Sequence, residues 1–128
     1  MARKLAGDVY KADCPTRQVL DRIGDKWTVL VLLLLSDGPL RFNALRRAIP
    51  GVSQKMLSQV LKALERDGMV SRRAFATVPV TVEYSITPLG GTLVETVDLL
   101  RLWAERHLPD VQKAQTRFDQ QGGTRQAA

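Results

Sequence analysis

From Thr16 onward the apolar residues Val19, Leu20 and Ile23 recur at helical spacing, with Thr16 as the expected cap and Gly24 as the expected stop. Asp25 then caps a second helix, Lys26 to Leu35, which is apolar nearly all round and so belongs at the centre of a core. Its run of Val and Leu from 29 to 35 also fits a buried strand, but the Asp cap, the Trp27 start and the overall length favour a helix that Asp37-Gly38-Pro39 ends. A short third helix fits Phe42 to Ala48, with Leu45 and Ile49 inward and Pro50-Gly51 closing it. The strongest periodicity follows. From Ser53, a good N-cap, the residues Met56, Leu57, Val60, Leu61 and Leu64 form one apolar stripe, and Gly68 supplies the stop. The opposite face reads Lys55, Ser58, Gln59, Lys62 and Arg66.

After Gly68 the period shortens toward two. Met69 to Phe75 form one strand, and Val82, Tyr84 and Ile86 alternate with Glu83 and Ser85 in a second. Residues 76–81 join them, and Pro79, which has no N–H to give a ladder, suits an exposed connection. Thr87 caps a last helix with Pro88 at its first position, running to about Leu108. Leu89, Leu93, Val94, Val97, Leu100, Trp103 and Ala104 make its apolar stripe, and Leu99 and Leu102 fall outside it. The helix thus carries more apolar surface than one core contact uses, which implies a second partner surface, most simply another copy of the chain. The pattern gives a flexible arm over 1–13, one domain over 14–108 and a polar tail over 109–128 that frays from Gln120.

At 128 residues, 45% hydrophobic and 25% charged, the chain has an ordinary globular composition, unlike disordered, collagen-like or disulfide-scaffold sequences. A single Cys excludes an internal disulfide. The apolar run at 29–35 is far short of the ~20 residues of a membrane span. The N-terminal residues lead into no apolar stretch, so no secretory signal is expected, and the cytoplasm is the default compartment. The charge is unusual. The formal net charge is +6, and it sits in one window. Residues 41–73 hold Arg41, Arg46, Arg47, Lys55, Lys62, Arg66, Arg72 and Arg73 against only Glu65 and Asp67, while the rest of the chain cancels to zero. A local excess of that kind points to a polyanionic partner.

Two helices joined through a short Pro-Gly connection, followed by a β-hairpin, make the plan of a winged helix-turn-helix, mainly α with a small hairpin. In that plan the second helix of the pair enters the major groove and the helix before it crosses the backbone. The expected base-reading residues are Gln54, Lys55, Ser58, Gln59 and Lys62, because amides pair with adenine and ammonium groups reach guanine or phosphate. Arg41, Asn43, Arg46, Arg47, Ser53, Arg72 and Arg73 are the expected backbone contacts. Six phosphates neutralised would give a salt slope of roughly −5.

The ordered set Cys14-Pro15, Ile23-Gly24-Asp25-Lys26-Trp27-Thr28, Gly38 to Arg47, Ile49 to Gln59 and Val82 to Gly90 resembles the HxlR-type transcriptional regulators, winged-helix proteins related to the MarR group. The resemblance covers about residues 14–105. It implies a homodimer held by the first and last helices on a near-palindromic double-stranded operator. It also implies that the helix from Ser53 is the recognition helix and the Pro79 hairpin the wing. At the dimer interface it places Val19, Leu99, Leu102 and Trp103. Where the family often has a basic residue before Val-Glu-Tyr this chain has Thr81, which implies a weaker grip by the wing tip, with Arg72 and Arg73 as compensation. Several members sense oxidants or electrophiles through a lone Cys ahead of the first helix, and Cys14 stands in that place. An inert thiol is the alternative; with one Cys, the open routes are a Cys14 to Cys14 bond across a dimer, a mixed disulfide or alkylation.

His107, the sole histidine, reads as a helix-end cation, and one histidine rules out a multi-histidine metal site. Trp27 and Trp103 read as core packing, and Tyr84 and Glu83 as packing and hydrogen bonding within the wing. Gly90-Gly91 permits close helix approach rather than phosphate binding. No acid, base and nucleophile are set out as a catalytic site, so no enzyme, cofactor or metal is expected. A small-molecule effector between the dimer helices fits the plan, but no residue pattern identifies it. The competing reading is a winged-helix protein-interaction module that binds no DNA; the focused +6 window disfavours it.

Overall fold

Three side-chain caps start three of the helices. In the computed structural model, which describes residues 9–122, Asp25 Oδ1 accepts the N–H groups of Trp27 (2.8 Å) and Thr28 (3.4 Å) and opens α2, Lys26–Leu35. Ser53 Oγ accepts from Met56 N–H at 3.0 Å and opens α4, Gln54–Arg66. Thr87 Oγ1 accepts from Gly90 N–H at 3.0 Å at the head of α5, Pro88–Gln120. Each satisfies a donor that a helix end leaves without an intrahelical partner. The first helix departs from expectation. α1 spans Pro15–Ile23 with Cys14, not Thr16, in the cap position and no side-chain cap bond, because Pro15 has no N–H to satisfy and suits the first helical turn.

Between α2 and α4 lie β1, Leu40–Arg41, and α3, Phe42–Ala48. The strands β2, Val70–Phe75, and β3, Thr81–Ile86, pair antiparallel in the register Val70↔Ile86 to Phe75↔Thr81. The expected two-stranded hairpin is a three-stranded sheet in the order β1-β3-β2, because Leu40 pairs with Tyr84 and Arg41 with Glu83. A two-residue strand satisfies β3's outer edge without leaving any periodic trace in the sequence.

The chain divides into two compact units, one up to Val94 and one from Glu95. In the first, Val31, Leu32 and Leu35 of α2, Leu45 of α3, Leu57, Leu61 and Leu64 of α4 and Val70 of β2 are buried together with Ile49 and Val52. Each fully buried Leu contributes about 1.5–3 kcal/mol. Arg22 Nε donates to Asp67 Oδ2 at 2.7 Å and ties α1 to the end of α4. After α4, Gly68 takes φ +77°, a left-handed turn that favours glycine, and its carbonyl accepts from the Thr87 hydroxyl at 2.6 Å. Thr87 N–H donates to the Met69 carbonyl at 3.1 Å, so the entry to α5 is bound to the exit of α4.

The last helix corrects a second expectation. It does not stop near Leu108 but continues through Pro109 to Gln120. Pro109 forfeits one helical hydrogen bond, yet Gln112, Lys113, Ala114, Gln115 and Arg117 are all good helix formers that carry the helix on. His107 is therefore mid-helix rather than in the last turn, with Nδ1 2.9 Å from the Trp103 carbonyl and its ring stacked on the Trp103 indole at 4.8 Å. Within the second unit only Val97 is buried among the described residues. Most of the arm expected over 1–13 and most of the tail expected to fray from Gln120 lie outside the described residues.

Candidate nucleic-acid interface

Burial of Leu57, Val60, Leu61 and Leu64 fixes the roll of α4 about its axis. With about 100° per residue, the side opposite that stripe is occupied by Lys55, Gln59, Lys62 and Arg66, all exposed. Gln54 and Ser58 are exposed on one flank. The five residues expected to read bases thus share the solvent side of the helix but spread over roughly 140° of arc. Ser58 and Lys62 border a cleft with Phe42, Glu65, Arg72 and Tyr84, whereas Gln59 lines a groove on the other flank, toward α1 and α2. Ser53, exposed, is engaged as the α4 cap.

Arg41, Asn43, Arg46 and Arg47 are exposed along β1 and α3. Arg41, Asn43 and Arg47 form one wall of a groove of about 700 Å³ whose other wall is the loop and strand from Pro79 to Glu83. The structure therefore sets the cations before α4 beside the hairpin that follows it.

The hairpin separates the two arginines that the sequence places together. Neighbouring strand residues face opposite sides. Val70 is buried, so Arg72 shares its inward row, with Tyr84 and Leu40 across the sheet. Arg72 Nε lies 3.8 Å from Glu65 Oε1 on α4. Arg73 is on the outward row, 4.8 Å over the Phe75 ring, and that row reads Arg41, Glu83, Arg73 across three strands. Glu83 thus sits between two arginines, a favourable cross-strand arrangement. Burial pushes the Tyr84 phenol above its ordinary pKa; Arg72 pulls it down and Glu65 pushes it up, both more weakly.

At the turn, Thr77 Oγ1 donates to the Pro79 carbonyl at 2.7 Å and lies 3.2 Å from the Thr81 hydroxyl. These bonds hold Val78 and Val80 outward, with Val78 fully exposed. The wing tip thus presents two exposed valines flanking Pro79 and no charged side chain, which agrees with the weaker grip expected from Thr81.

On α5, Leu99, Leu102 and Trp103 are 67%, 40% and 56% exposed, and Val19 of α1 is 49% exposed. Trp103 is therefore not a core residue of the single chain, and Leu89 and Leu100 of the expected stripe are also exposed. Trp27 is half-buried. Cys14 is 5% exposed; its N–H donates to the Lys11 carbonyl at 3.1 Å, and Arg17 Nη1 reaches the Tyr10 carbonyl at 2.9 Å, tying the preceding segment to the start of α1. Among the described residues no cluster of His, Cys, Asp and Glu is suited to a metal, and no helix is long and apolar enough to cross a membrane.

Residues 22–112 match the family described as HxlR-like helix-turn-helix. The chain is 49% identical over 105 residues to the uncharacterized HTH-type transcriptional regulator YtfH of Escherichia coli strain K12, covering 82% of this chain and 83% of that one. Among solved structures it is similar to YtfH of Salmonella typhimurium, assigned as a transcriptional regulator, with a TM-score of 0.81 and 44% identity over 86% of this chain and 98% of the other. It is also similar to the redox regulator HypR in its reduced form, with a TM-score of 0.72 and 38% identity over 77% and 98% of the two chains.

Proposed function

Because the chain belongs to the HxlR-like helix-turn-helix family of transcriptional regulators and is not an enzyme, we propose that it acts as a homodimer that binds a specific double-stranded operator in the cytoplasm. The observation that carries this reading is the coincidence of the +6 window with the solvent side of α4 and the exposed arginines of α3. In this reading α4 enters the major groove, with Lys55, Gln59 and Lys62 at base edges and Gln54 and Ser58 on the flank. Arg41, Asn43, Arg46 and Arg47 hold phosphates, with Arg73 on the outward face of the wing. The dimer forms through the exposed apolar residues of α1 and α5.

Base and phosphate contacts separate by experiment. Lys55→Ala and Gln59→Ala are each expected to weaken operator binding by about 1–3 kcal/mol while changing affinity for random DNA far less. Arg47→Ala is expected to weaken both about equally. Competition mobility shifts on the two DNAs check this; equal losses from Lys55→Ala would reassign that side chain to phosphate.

In this reading Arg72 is partly held back from the DNA backbone: its Nε lies 3.8 Å from Glu65 Oε1 on α4, an ion pair between two half-exposed side chains. Glu65→Gln frees that guanidinium, and the salt slope for random DNA is expected to steepen by about 1. An unchanged slope would show that Arg72 does not reach the backbone even when released.

We further propose that Cys14 makes DNA binding sensitive to oxidants, a reading supported by its place at the head of α1 and by the similarity to HypR. Burial sets the rate: at 5% exposure the thiol reacts only when the segment preceding α1 opens. Diamide is expected to abolish operator binding by the wild type and leave Cys14→Ser unaffected. Loss of binding in both would place the sensitivity elsewhere.

A further inference from the structure

Between α1, the head of α2 and α4 lies a groove of about 270 Å³, separate from the arginines of α3 and the wing. Thr28 lines it. This residue is 1% exposed, and its hydroxyl makes no hydrogen bond among the described residues. Buried polar groups are nearly always partnered, so an orphan hydroxyl at a groove marks a place for a ligand's polar atom. The charge there is opposite to that of the DNA-facing side. Asp21 and Asp25 line the groove and form no ion pair among the described residues, although Asp25 Oδ1 already accepts the Trp27 and Thr28 N–H groups; of the cations nearby, Arg22 is held by Asp67 at 2.7 Å and Lys26 lies over the Trp27 ring. Trp27 and Met56 supply apolar wall. The Trp27 ring already takes a cation, with Lys26 Nζ 4.6 Å from its centroid.

We propose that this groove binds a small organic ammonium compound carrying an aromatic or alkyl body, and that its occupancy weakens DNA binding. The ammonium answers the carboxylates and donates to the Thr28 hydroxyl, and the body packs on Trp27 and Met56. An anion is disfavoured by the same two carboxylates. Gln59 of α4 lines the groove as well, so an occupant competes for an amide that faces DNA. The effect on DNA rests on the proposed operator binding; the binding site itself does not.

The test is a titration of the isotope-labelled full chain with phenethylamine, followed by NMR at the Trp27 indole N–H and the Thr28 and Gln59 amides. Saturable shifts are expected with phenethylamine and none with 3-phenylpropionate. Asp21→Asn and Thr28→Val are each expected to weaken the binding at least ~10-fold, the scale of a lost charge-assisted hydrogen bond. Asp21 is exposed, so its variant keeps the fold and decides the matter alone if Thr28→Val does not fold. No saturable shift, an equal response to the carboxylate, or undiminished affinity in Asp21→Asn would overturn the site. In the second arm, saturating phenethylamine is expected to lower operator affinity, and operator to lower phenethylamine affinity by the same factor. An operator affinity that stays constant or rises would overturn the coupling, and a protein that shifts no DNA at all leaves the NMR arm to decide the site.

Discussion

Gly90→Ala is expected to lower stability by about 3 kcal/mol, with the thermal midpoint falling by roughly 10 °C, read by circular dichroism. Gly90 is buried in the first turn of α5, directly against the segment leaving α4. A Cβ there would come 2.9 Å from the Met69 carbonyl carbon and overlap its oxygen. That carbonyl cannot retreat, because it accepts the Thr87 N–H, while the Thr87 hydroxyl bridges Gly68 O and Gly90 N–H. The obstacle is backbone, so no rotamer change relieves it. Gly91, where a Cβ meets nothing within 4 Å, is the internal control, and Gly91→Ala is expected to be neutral or mildly stabilising. Similar midpoints for the two variants would show that the close approach of α5 to Met69 does not matter to the fold.

The largest functional effect is expected from Leu99→Asp combined with Leu102→Asp. Both side chains are exposed in the single chain, so the substitutions leave its own packing largely untouched. In a dimer they would put four carboxylates into an apolar contact, which costs far more than any exposed pair returns. The variant is expected to sedimentate as a monomer with an unchanged helical spectrum. Operator affinity is expected to drop by about 10²–10⁴-fold, because two recognition helices then bind independently instead of as one linked unit. A variant that remains dimeric would move the interface off this face of α5.

What the sequence made legible was local. The Asp25, Ser53 and Thr87 caps were readable because each acts on N–H groups two or three residues away, and the α4 stripe was readable because one face repeats at helical spacing. The α4 stripe also located the solvent-side cations, since burying Leu57 and Leu61 leaves Lys55 and Lys62 outward. What escaped depends on distant partners. β1 exists only because Leu40 meets Tyr84 across the sheet. Arg72 and Arg73 share one expected role in the sequence, and only the burial of Val70 shows that they face opposite ways and which one turns to Glu65. The end of α5 lies beyond the expected Leu108 because the apolar stripe gives out there, although the polar residues past Pro109 favour helix enough to continue it. Trp103 lies on a stripe that looks like core, and its exposure becomes visible only when the chain is folded alone.

The central claim is that the basic side of α3 and α4 grips DNA. Its most direct test is a mobility shift of the purified protein on the DNA upstream of its own gene, across a salt series with random DNA as competitor. A shift that survives the competitor, with log affinity falling against log salt at a slope of roughly −5 or steeper, is the predicted result. No shift even at low salt would contradict it and turn the winged helix into a protein-interaction module.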